Sequence, residues 1–358
     1  MTSRIATATA RQAESMQAMV QSVYGAPEVL ALATVNKPVP SQDEVLVRVQ
    51  AASVNAGDWH LMRGTPWLIR LMFGGLRRPA VPTLGSDVAG QVEAVGQAVT
   101  QFKPGDMVFA DLSGVGFGAF AEYVCVPASV LVEKPDGLSF TAAASVPLAA
   151  VTALQGLRDA GQLRPGQKVL INGASGGVGS FAVQIAKALG AEVTAVCSTQ
   201  KMAMVQSLHP DHIVDYTQTD VVRSQQRYDL ILDAAAYRSA RDYLPILSLG
   251  GSYVLIGGST DRFFQVLLLG GLFSKLSGRR LVALAAEPKA EDLTTIKTMV
   301  EAGQIVPTVD RCFGLSEVAD AIGYMEQRQV QGKIVICIGD SNSTSATSRT
   351  VAVPEQKR

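Results

Sequence analysis

The chain has 358 residues, about two domains' length if one domain takes roughly 150 residues. Hydrophobic residues make up 47% of it and charged residues only 17%, so the chain can bury large cores and is not intrinsically disordered over most of its length. Its 31 basic and 31 acidic residues cancel, which excludes the basic surface expected of a dedicated nucleic-acid-binding protein.

The two ends of the chain differ from its middle in composition and hydrophobic periodicity. Residues 1–16 and 341–358 are polar and lack a hydrophobic period, so we expect a flexible tail at the start and a disordered tail at the end. The four cysteines form no CxxC pair, which indicates neither a disulfide framework nor a zinc cluster and favours a reducing cytoplasm. The uncharged stretch 137–157 contains a proline and several hydroxyl side chains, so we expect it to be buried in protein and not to span a membrane.

Before residue 140, short β-like runs alternate with turn-forming Pro-Gly and Asp-Gly pairs. This pattern predicts an irregular, mostly antiparallel barrel. Its clearest strands are predicted at 45–49, 88–95, 120–126 and 130–132.

After residue 140, apolar strands alternate with helical periods, which is typical of a parallel sheet covered by helices on both faces. The strands are predicted at 168–172, 192–197, 228–233, 252–256 and 281–285. The segment 292–328 is helical in pattern around an extended piece at 306–311, and a last strand is predicted at 333–338. The fold class is therefore α/β, with a β-barrel followed by a doubly wound parallel sheet.

A glycine-rich loop follows the first strand of the second half. Ala174, Gly176 and Gly179 fit the pattern A-x-G-x-x-G, with Gly177 as an extra glycine. Such a loop makes a tight turn, lets the backbone approach a pyrophosphate and lets the next helix pack close to the strand. The predicted cofactor-binding loop contains Ala174, Ser175, Gly176, Gly177, Val178 and Gly179.

The same loop contains the pattern G-x-S-x-G centred on Ser175, which is also the nucleophile turn of serine hydrolases. A hydrolase of that type needs an acid and then a histidine later in the chain. The later histidines, His209 and His212, have no suitably spaced acid before them, so a serine hydrolase is the disfavoured alternative.

The residues after the second parallel strand indicate which dinucleotide binds. An NAD site usually places an acid there for the ribose 2′-hydroxyl, whereas this chain has Ser198, Thr199 and Lys201. Hydroxyls and an ammonium suit a 2′-phosphate, which predicts NADPH. A solvated lysine without a ligand is the alternative interpretation of Lys201.

Four segments together resemble the zinc-independent quinone oxidoreductase branch of the medium-chain dehydrogenase/reductase superfamily: VLINGASGGVGSFAVQIAKALGAEV, GSDVAGQVEAVG, FKPGDMVFA and GKIVICI. The resemblance implies a GroES-like domain at 17–140 and 289–340, a Rossmann NADP-binding domain at 141–288, and a homodimer formed through the Rossmann sheets. It also implies that Tyr216 lies with Lys201 at the 2′-phosphate and that Thr152 contacts the nicotinamide or phosphate side.

The resemblance also bears on zinc. Zinc alcohol dehydrogenases of this superfamily carry ligands where this chain has Asn55, Ser86 and Ala149, and only Asp87 keeps metal-binding character. Without a Lewis acid, ordinary alcohol chemistry loses its charge stabilisation. The resemblance therefore implies hydride transfer to a quinone or an α,β-unsaturated carbonyl, where the charge moves to an oxygen that hydrogen-bond donors can stabilise.

Within the segment that resembles the family's Asn-x-x-Asp stretch, Asn55 is the candidate to orient the acceptor and Asp58 to support the loop, although both residue types are also common in turns. No strong general acid is evident. Two other functions stay open at this point: an NADPH-binding structural or regulatory protein with little turnover, and a zinc-type alcohol dehydrogenase.

Overall fold

The computed structural model describes residues 14–73 and 75–339. Most of the predicted N-terminal tail and all of the predicted C-terminal tail lie outside the described residues. The elements of the first half are β1 (Ser15–Gln21), β2 (Leu30–Asn36), β3 (Glu44–Ser53), α1 (Ala56–Arg63), α2 (Trp67–Met72), β4 (Asp87–Val95), β5 (Met107–Asp111), β6 (Tyr123–Pro127), β7 (Val132–Glu133) and α3 (Phe140–Ala144). Those of the second half are α4 (Pro147–Gln155), β8 (Lys168–Asn172), α5 (Gly177–Ala188), β9 (Glu192–Cys197), α6 (Met202–Gln206), β10 (His212–Asp215), β11 (Tyr228–Asp233), α7 (Ala240–Tyr243), β12 (Leu247–Leu255), α8 (Thr260–Ser277) and β13 (Arg280–Ala283). The chain then continues through α9 (Ala290–Glu301), β14 (Val309–Gly314), α10 (Val318–Glu326) and β15 (Lys333–Cys337).

The first half forms a mixed sheet of mostly antiparallel strands in the order β14-β15-β3-β4-β5-β7, with β6 pairing β3 on the side. The two C-terminal strands thus extend the sheet that the first half begins, because β15 pairs antiparallel with the end of β3. The strand β1 pairs with β2 and begins at Ser15, before the predicted start of the folded body at 17, because Met16 packs with Ala18 and Ala121.

The second half forms a six-stranded parallel sheet in the order β10-β9-β8-β11-β12-β13. This is the doubly wound order in which the strand sequence reverses between β8 and β11, and ligands of such sheets bind outside the carboxyl ends of the strands there. The predicted α/β fold class, a GroES-like sheet beside a Rossmann-type sheet, is confirmed.

The helices α3 and α4 lie in the uncharged stretch 137–157 and are packed in the main core. Their side chains are small, which lets α4 pack closely on α5 and hold the ends of the two sheets together. Within the described residues, none of the helices is long and apolar enough to cross a membrane.

Candidate functional site

A cleft of about 1020 Å³ opens where the glycine loop faces the antiparallel sheet. Its walls come from α1 and the two residues before it, from the loop between β8 and α5, from the segments that follow β11 and β12, and from the start of β15. A cavity of this size is large enough for a dinucleotide and a small acceptor together.

The glycines of the loop have different physical reasons to be glycine. Gly173 has φ of +79°, which permits the tight turn after β8. A Cβ on Gly179 would lie 2.1 Å from the Gly173 carbonyl oxygen, so this position sets how closely α5 packs on the strand. A Cβ on Gly176 would meet only one atom, at 3.5 Å, so this backbone faces open space at the N-terminus of α5, where an anion is stabilised.

The remaining predicted loop residues divide between the cleft and the core. Val178 and the glycines line the cleft, whereas Ala174 is fully buried and Ser175 is buried without lining it. The Ser175 carbonyl accepts a 2.8 Å hydrogen bond from the Gly332 N–H, which ties the loop to the segment before β15. In the described part of the chain no histidine is hydrogen-bonded to Ser175, and His212 contacts Glu192 instead, so the geometry does not support a serine nucleophile.

At one end of the cleft, Lys201 lies in the wall, and its Nζ donates to the backbone carbonyls of Arg328 at 2.9 Å and Val330 at 2.8 Å. Burial lowers the pKa of this lysine. Arg328 also lines the cleft, with its guanidinium over the Tyr237 ring at 4.6 Å. Two cations, Lys201 and Arg328, therefore line this end of the cleft. Sequence analysis missed Arg328, because it lies in a segment far along the chain from the glycine loop.

The other residues predicted for the 2′-phosphate do not line the cleft. Thr199 Oγ1 donates to the carboxylate of Asp215. Asp215 is the last residue of β10 and pairs with Cys197, the last residue of β9. Tyr216 is 60% exposed, and its backbone N–H donates to the Cys197 carbonyl. Ser198 immediately precedes the short helical turn that contains Thr199 and Lys201. The cofactor roles of Ser198, Thr199 and Tyr216 stay predictions.

At the opposite part of the cleft, Asn55 is held by protein groups on every side. Its Nδ2 donates to Asp87 Oδ2 at 2.8 Å and to the Ser53 carbonyl at 3.4 Å, and its Oδ1 accepts from Lys333. Both amide hydrogens are therefore already engaged. Asn55 fixes the position of its neighbours in this structure, and a direct contact with an acceptor would require it to give up one of these bonds.

Lys333 and Asp87 form a buried ion pair beneath Asn55. The Lys333 ammonium lies 3.2 Å from Asp87 Oδ2 and 3.2 Å from the Val54 carbonyl oxygen, and the two side chains are 4% and 0% exposed. Asp87 also accepts from Ser53 Oγ and from the Leu148 N–H at 2.8 Å. The sequence signal for Lys333 was a lysine at the start of the buried strand GKIVICI, which received no role in the sequence analysis.

Asp58 lies behind the cleft and does not line it. Its carboxylate accepts from the Asn55 N–H at 2.8 Å and from the Gly85 N–H at 3.0 Å, which caps α1 and fixes the segment that carries Asn55. Burial, assisted by the charge of Asp87, raises the pKa of Asp58 to about 7. Its position suits a supporting role and not contact with a ligand.

The positions that the sequence resemblance matches to zinc ligands also lie here. Ala149 and Thr152 line the cleft from α4, and Ser86 is fully buried near Asp58. The only positive charge in contact with Asn55 and Asp87 among the described residues is the ammonium of Lys333.

Comparison with known proteins agrees with this geometry. Residues 41–136 match the alcohol dehydrogenase GroES-like domain, and residues 208–336 match the zinc-binding dehydrogenase family. The chain is 33% identical to a chloroplast envelope quinone oxidoreductase homolog of Arabidopsis thaliana, over 84% of this chain and 91% of the relative. It is 32% identical to an NADPH-dependent alkenal/one oxidoreductase of the same plant, over 92% of this chain and 81% of the relative.

Among solved structures, the quinone oxidoreductase from Coxiella burnetii superposes with a TM-score of 0.80 at 28% identity, covering 90% of this chain and 99% of that chain. The chain belongs to the medium-chain dehydrogenase/reductase superfamily, in its zinc-independent quinone oxidoreductase branch.

Proposed function

We propose that this medium-chain dehydrogenase/reductase is an NADPH-dependent enzyme that reduces quinones or α,β-unsaturated carbonyl compounds. The observation that carries the proposal is a single cleft that joins an open glycine loop to a buried polar cluster of Lys333, Asp87 and Asn55. The names of the relatives, quinone oxidoreductase and NADPH-dependent alkenal/one oxidoreductase, point to the same reaction.

The residues present fit NADPH. The backbone at Gly176 and the N-terminus of α5 are open to a pyrophosphate, and Lys201 with Arg328 offers positive charge for a 2′-phosphate. When bound, NADPH supplies a hydride to the acceptor. Thr152 lines the cleft from α4, which supports its proposed contact with the nicotinamide or phosphate side.

The buried cluster prepares the other side of the cleft for a developing negative charge. Lys333 places a fixed ammonium near the acceptor site, and its hydrogen bonds to Asn55, Asp87 and Val54 prevent it from moving into solvent. Asp87 balances the charge of this ammonium, so Lys333 contributes a preorganised polar group of fixed position, which stabilises a developing charge without reorganisation. Apolar side chains also line the cleft, and they suit a hydrophobic acceptor: Leu148, Ile256, Leu284 and Met325.

The test is NADPH oxidation across quinones, enals, enones and saturated ketones, with NADH in parallel. We expect turnover on the electron-poor acceptors, little on saturated ketones, and a preference for NADPH. Tight NADPH binding without turnover on any acceptor would favour the structural or regulatory alternative. Turnover on simple ketones that is lost on chelation would favour a zinc-type alcohol dehydrogenase.

We also propose that the enzyme is a homodimer in which α8 supplies the contact. The Leu281 N–H of the last parallel strand donates to Ser274 Oγ of α8 at 2.9 Å, and Gly270 packs on the Leu281 carbonyl. Because this helix lies against β13, we propose that it adds a helix contact to the dimer expected through the Rossmann sheets. The outer face of α8 carries five leucines that are at least 40% exposed: Leu267, Leu268, Leu269, Leu272 and Leu276.

Such an exposed leucine face is typical of a surface that a partner covers, and a second copy presents the same apolar face in return. Sedimentation velocity of Leu268→Glu/Leu272→Glu should show a monomer, while Val39→Glu, at an exposed valine outside α8, should leave the dimer intact. A monomeric wild type, or a dimer that survives both glutamates, would refute this contact.

For localisation, we propose the cytoplasm, because all four cysteines are unpaired, as expected in a reducing compartment. Fractionation of the native source, with detection of the chain in the soluble cytosolic fraction, tests it.

A further inference from the structure

The proton that completes the reduction needs a source, and Asp111 is a buried acidic side chain in the wall of the cleft. It ends β5, lines the cleft and is only 7% exposed. Its Oδ1 accepts a 2.8 Å hydrogen bond from the Ser113 N–H. Within residues 14–73 and 75–339, no lysine, arginine or histidine forms a salt bridge with it, so its second oxygen has no cationic partner to keep it charged.

Asp111 and its cross-strand partner Asp87 have different charged neighbours. Asp87 is paired with Lys333, whereas Asp111, which is also buried, has no such partner, is repelled by Asp87 and feels Lys333 more weakly. These causes raise the pKa of Asp111 to about 7, against a smaller opposing effect of Ser113. Helix α4, which packs on β5, has no charged residue.

We propose that Asp111 is the general acid of the reaction, an assignment that rests on the proposed function. Hydride adds to the β-carbon of the acceptor, the π pair of the C=C bond shifts to the bond between the α-carbon and the carbonyl carbon, and the carbonyl π pair moves to the oxygen. That oxygen takes the proton from the Asp111 carboxyl, which is left as a carboxylate. Water from the cleft mouth reprotonates it. The acceptor gains two electrons, the hydride hydrogen and one proton, and NADPH becomes NADP⁺.

The first test is Asp111→Asn, which keeps the shape and the hydrogen bond from Ser113 but has no acidic proton. With an enone, whose enolate oxygen is basic, kcat should fall about 100-fold, the lower part of the usual range for general acids. With a tetrahalogenated benzoquinone, whose hydroquinone anion is weakly basic, the fall should be less than about 10-fold. NADPH affinity measured by titration should stay within about twofold, which shows that the variant is folded.

The pH profile gives an independent readout. Because the protonated carboxyl is required, wild-type kcat with the enone should fall as pH rises through about 7, and Asp111→Asn should lose this fall. Ser113→Ala removes a hydroxyl that lowers the pKa of Asp111, so the fall should move to higher pH. His60 also lines the cleft, so His60→Gln is the matched control and should keep the wild-type fall.

The outcomes separate the two levels of inference. If the wild type reduces enones and Asp111→Asn keeps both its rate and its fall above pH 7, Asp111 is not the acid and the proposed function stands. Equal losses on the enone and the halogenated quinone would also reject the proton-transfer role. If the wild type reduces neither acceptor with NADPH, the proposed function itself fails, and the assignment fails with it.

Discussion

Replacing Lys333 by methionine should destabilise the protein strongly, because it leaves the charge of Asp87 buried without a cation. The two groups are 3.2 Å apart and almost inaccessible to water. At that separation and an effective dielectric constant of about 20, their attraction is about 5 kcal/mol. This attraction compensates much of the cost of removing both charges from water. When only Lys333 is removed, the attraction is lost, but Asp87 still bears its own desolvation cost.

We therefore expect Lys333→Met to lower the free energy of unfolding by about 3–5 kcal/mol, the usual range for breaking a buried pair. Asp87→Asn should cost a similar amount, because it leaves the ammonium uncompensated. The double variant carries neither charge, so it should lose much less than the sum of the two single losses.

Urea unfolding at constant m-value measures all four corners of this cycle. Two results would refute the reasoning: a loss below about 1 kcal/mol for Lys333→Met, or strict additivity in the double variant. Either result would mean that water reaches the pair or that the ammonium is not where the structure places it.

Four further predictions concern the cofactor loop, metal content and pH. Lys201→Ala should weaken the binding of NADPH by roughly 1.5–3 kcal/mol and that of NADH much less, as measured by fluorescence titration. Equal weakening of both would show that the lysine does not contact the 2′-phosphate. Gly176→Val should reduce NADPH affinity far more than Ser175→Ala, and a covalent serine-hydrolase probe should leave Ser175 unlabelled; labelling would contradict the binding role of the loop. Protein purified without added metal should contain no stoichiometric zinc and should keep its activity with chelators; zinc at one equivalent would overturn this. Asp58 has a folded-state pKa of about 7, well above the ordinary aspartate value, so the folded state binds its proton more tightly than the unfolded state; this contribution to stability is present below about pH 4 and is lost as pH rises through 7. In Asp58→Asn, the decline in stability between these pH values, measured by urea unfolding, should be smaller. An unchanged decline would exclude Asp58 as its source.

Sequence analysis predicted an element accurately where the interactions that determine it join residues close together in the chain. The strands 192–197 and 228–233 have the predicted bounds, because each is a short apolar run between turn residues and is buried in the sheet. β10 was not predicted, since it is a four-residue edge strand without a buried residue to mark it. β12 begins at 247, earlier than the predicted 252, because its first residue pairs with Tyr228 across a bulge.

The same distinction applies to the site. The glycine loop could be recognised because its requirements, a tight turn and close packing, involve neighbours within a few residues. The contact of Lys333 with Asp87 joins positions 246 residues apart, and it exists only because β15 pairs with β3. Nothing in the local pattern around Lys333 indicates a partner, since a lysine at the start of a strand is usually solvated.

The structure also explains the one glycine of the loop that the dinucleotide pattern does not require. A Cβ on Gly177 would lie 2.8 Å from Cδ of Lys333, so the aliphatic stem of the lysine passes over this residue on its way to Asn55. The neighbouring Gly332 N–H is bonded to the Ser175 carbonyl, which fixes the lysine stem against the loop. Gly177 therefore makes room for the cation at the acceptor end, while Gly176 leaves room for the cofactor. Because the two glycines are adjacent, the loop that is expected to hold the pyrophosphate also determines where the ammonium lies, so the two ends of the cleft are positioned by one turn of backbone.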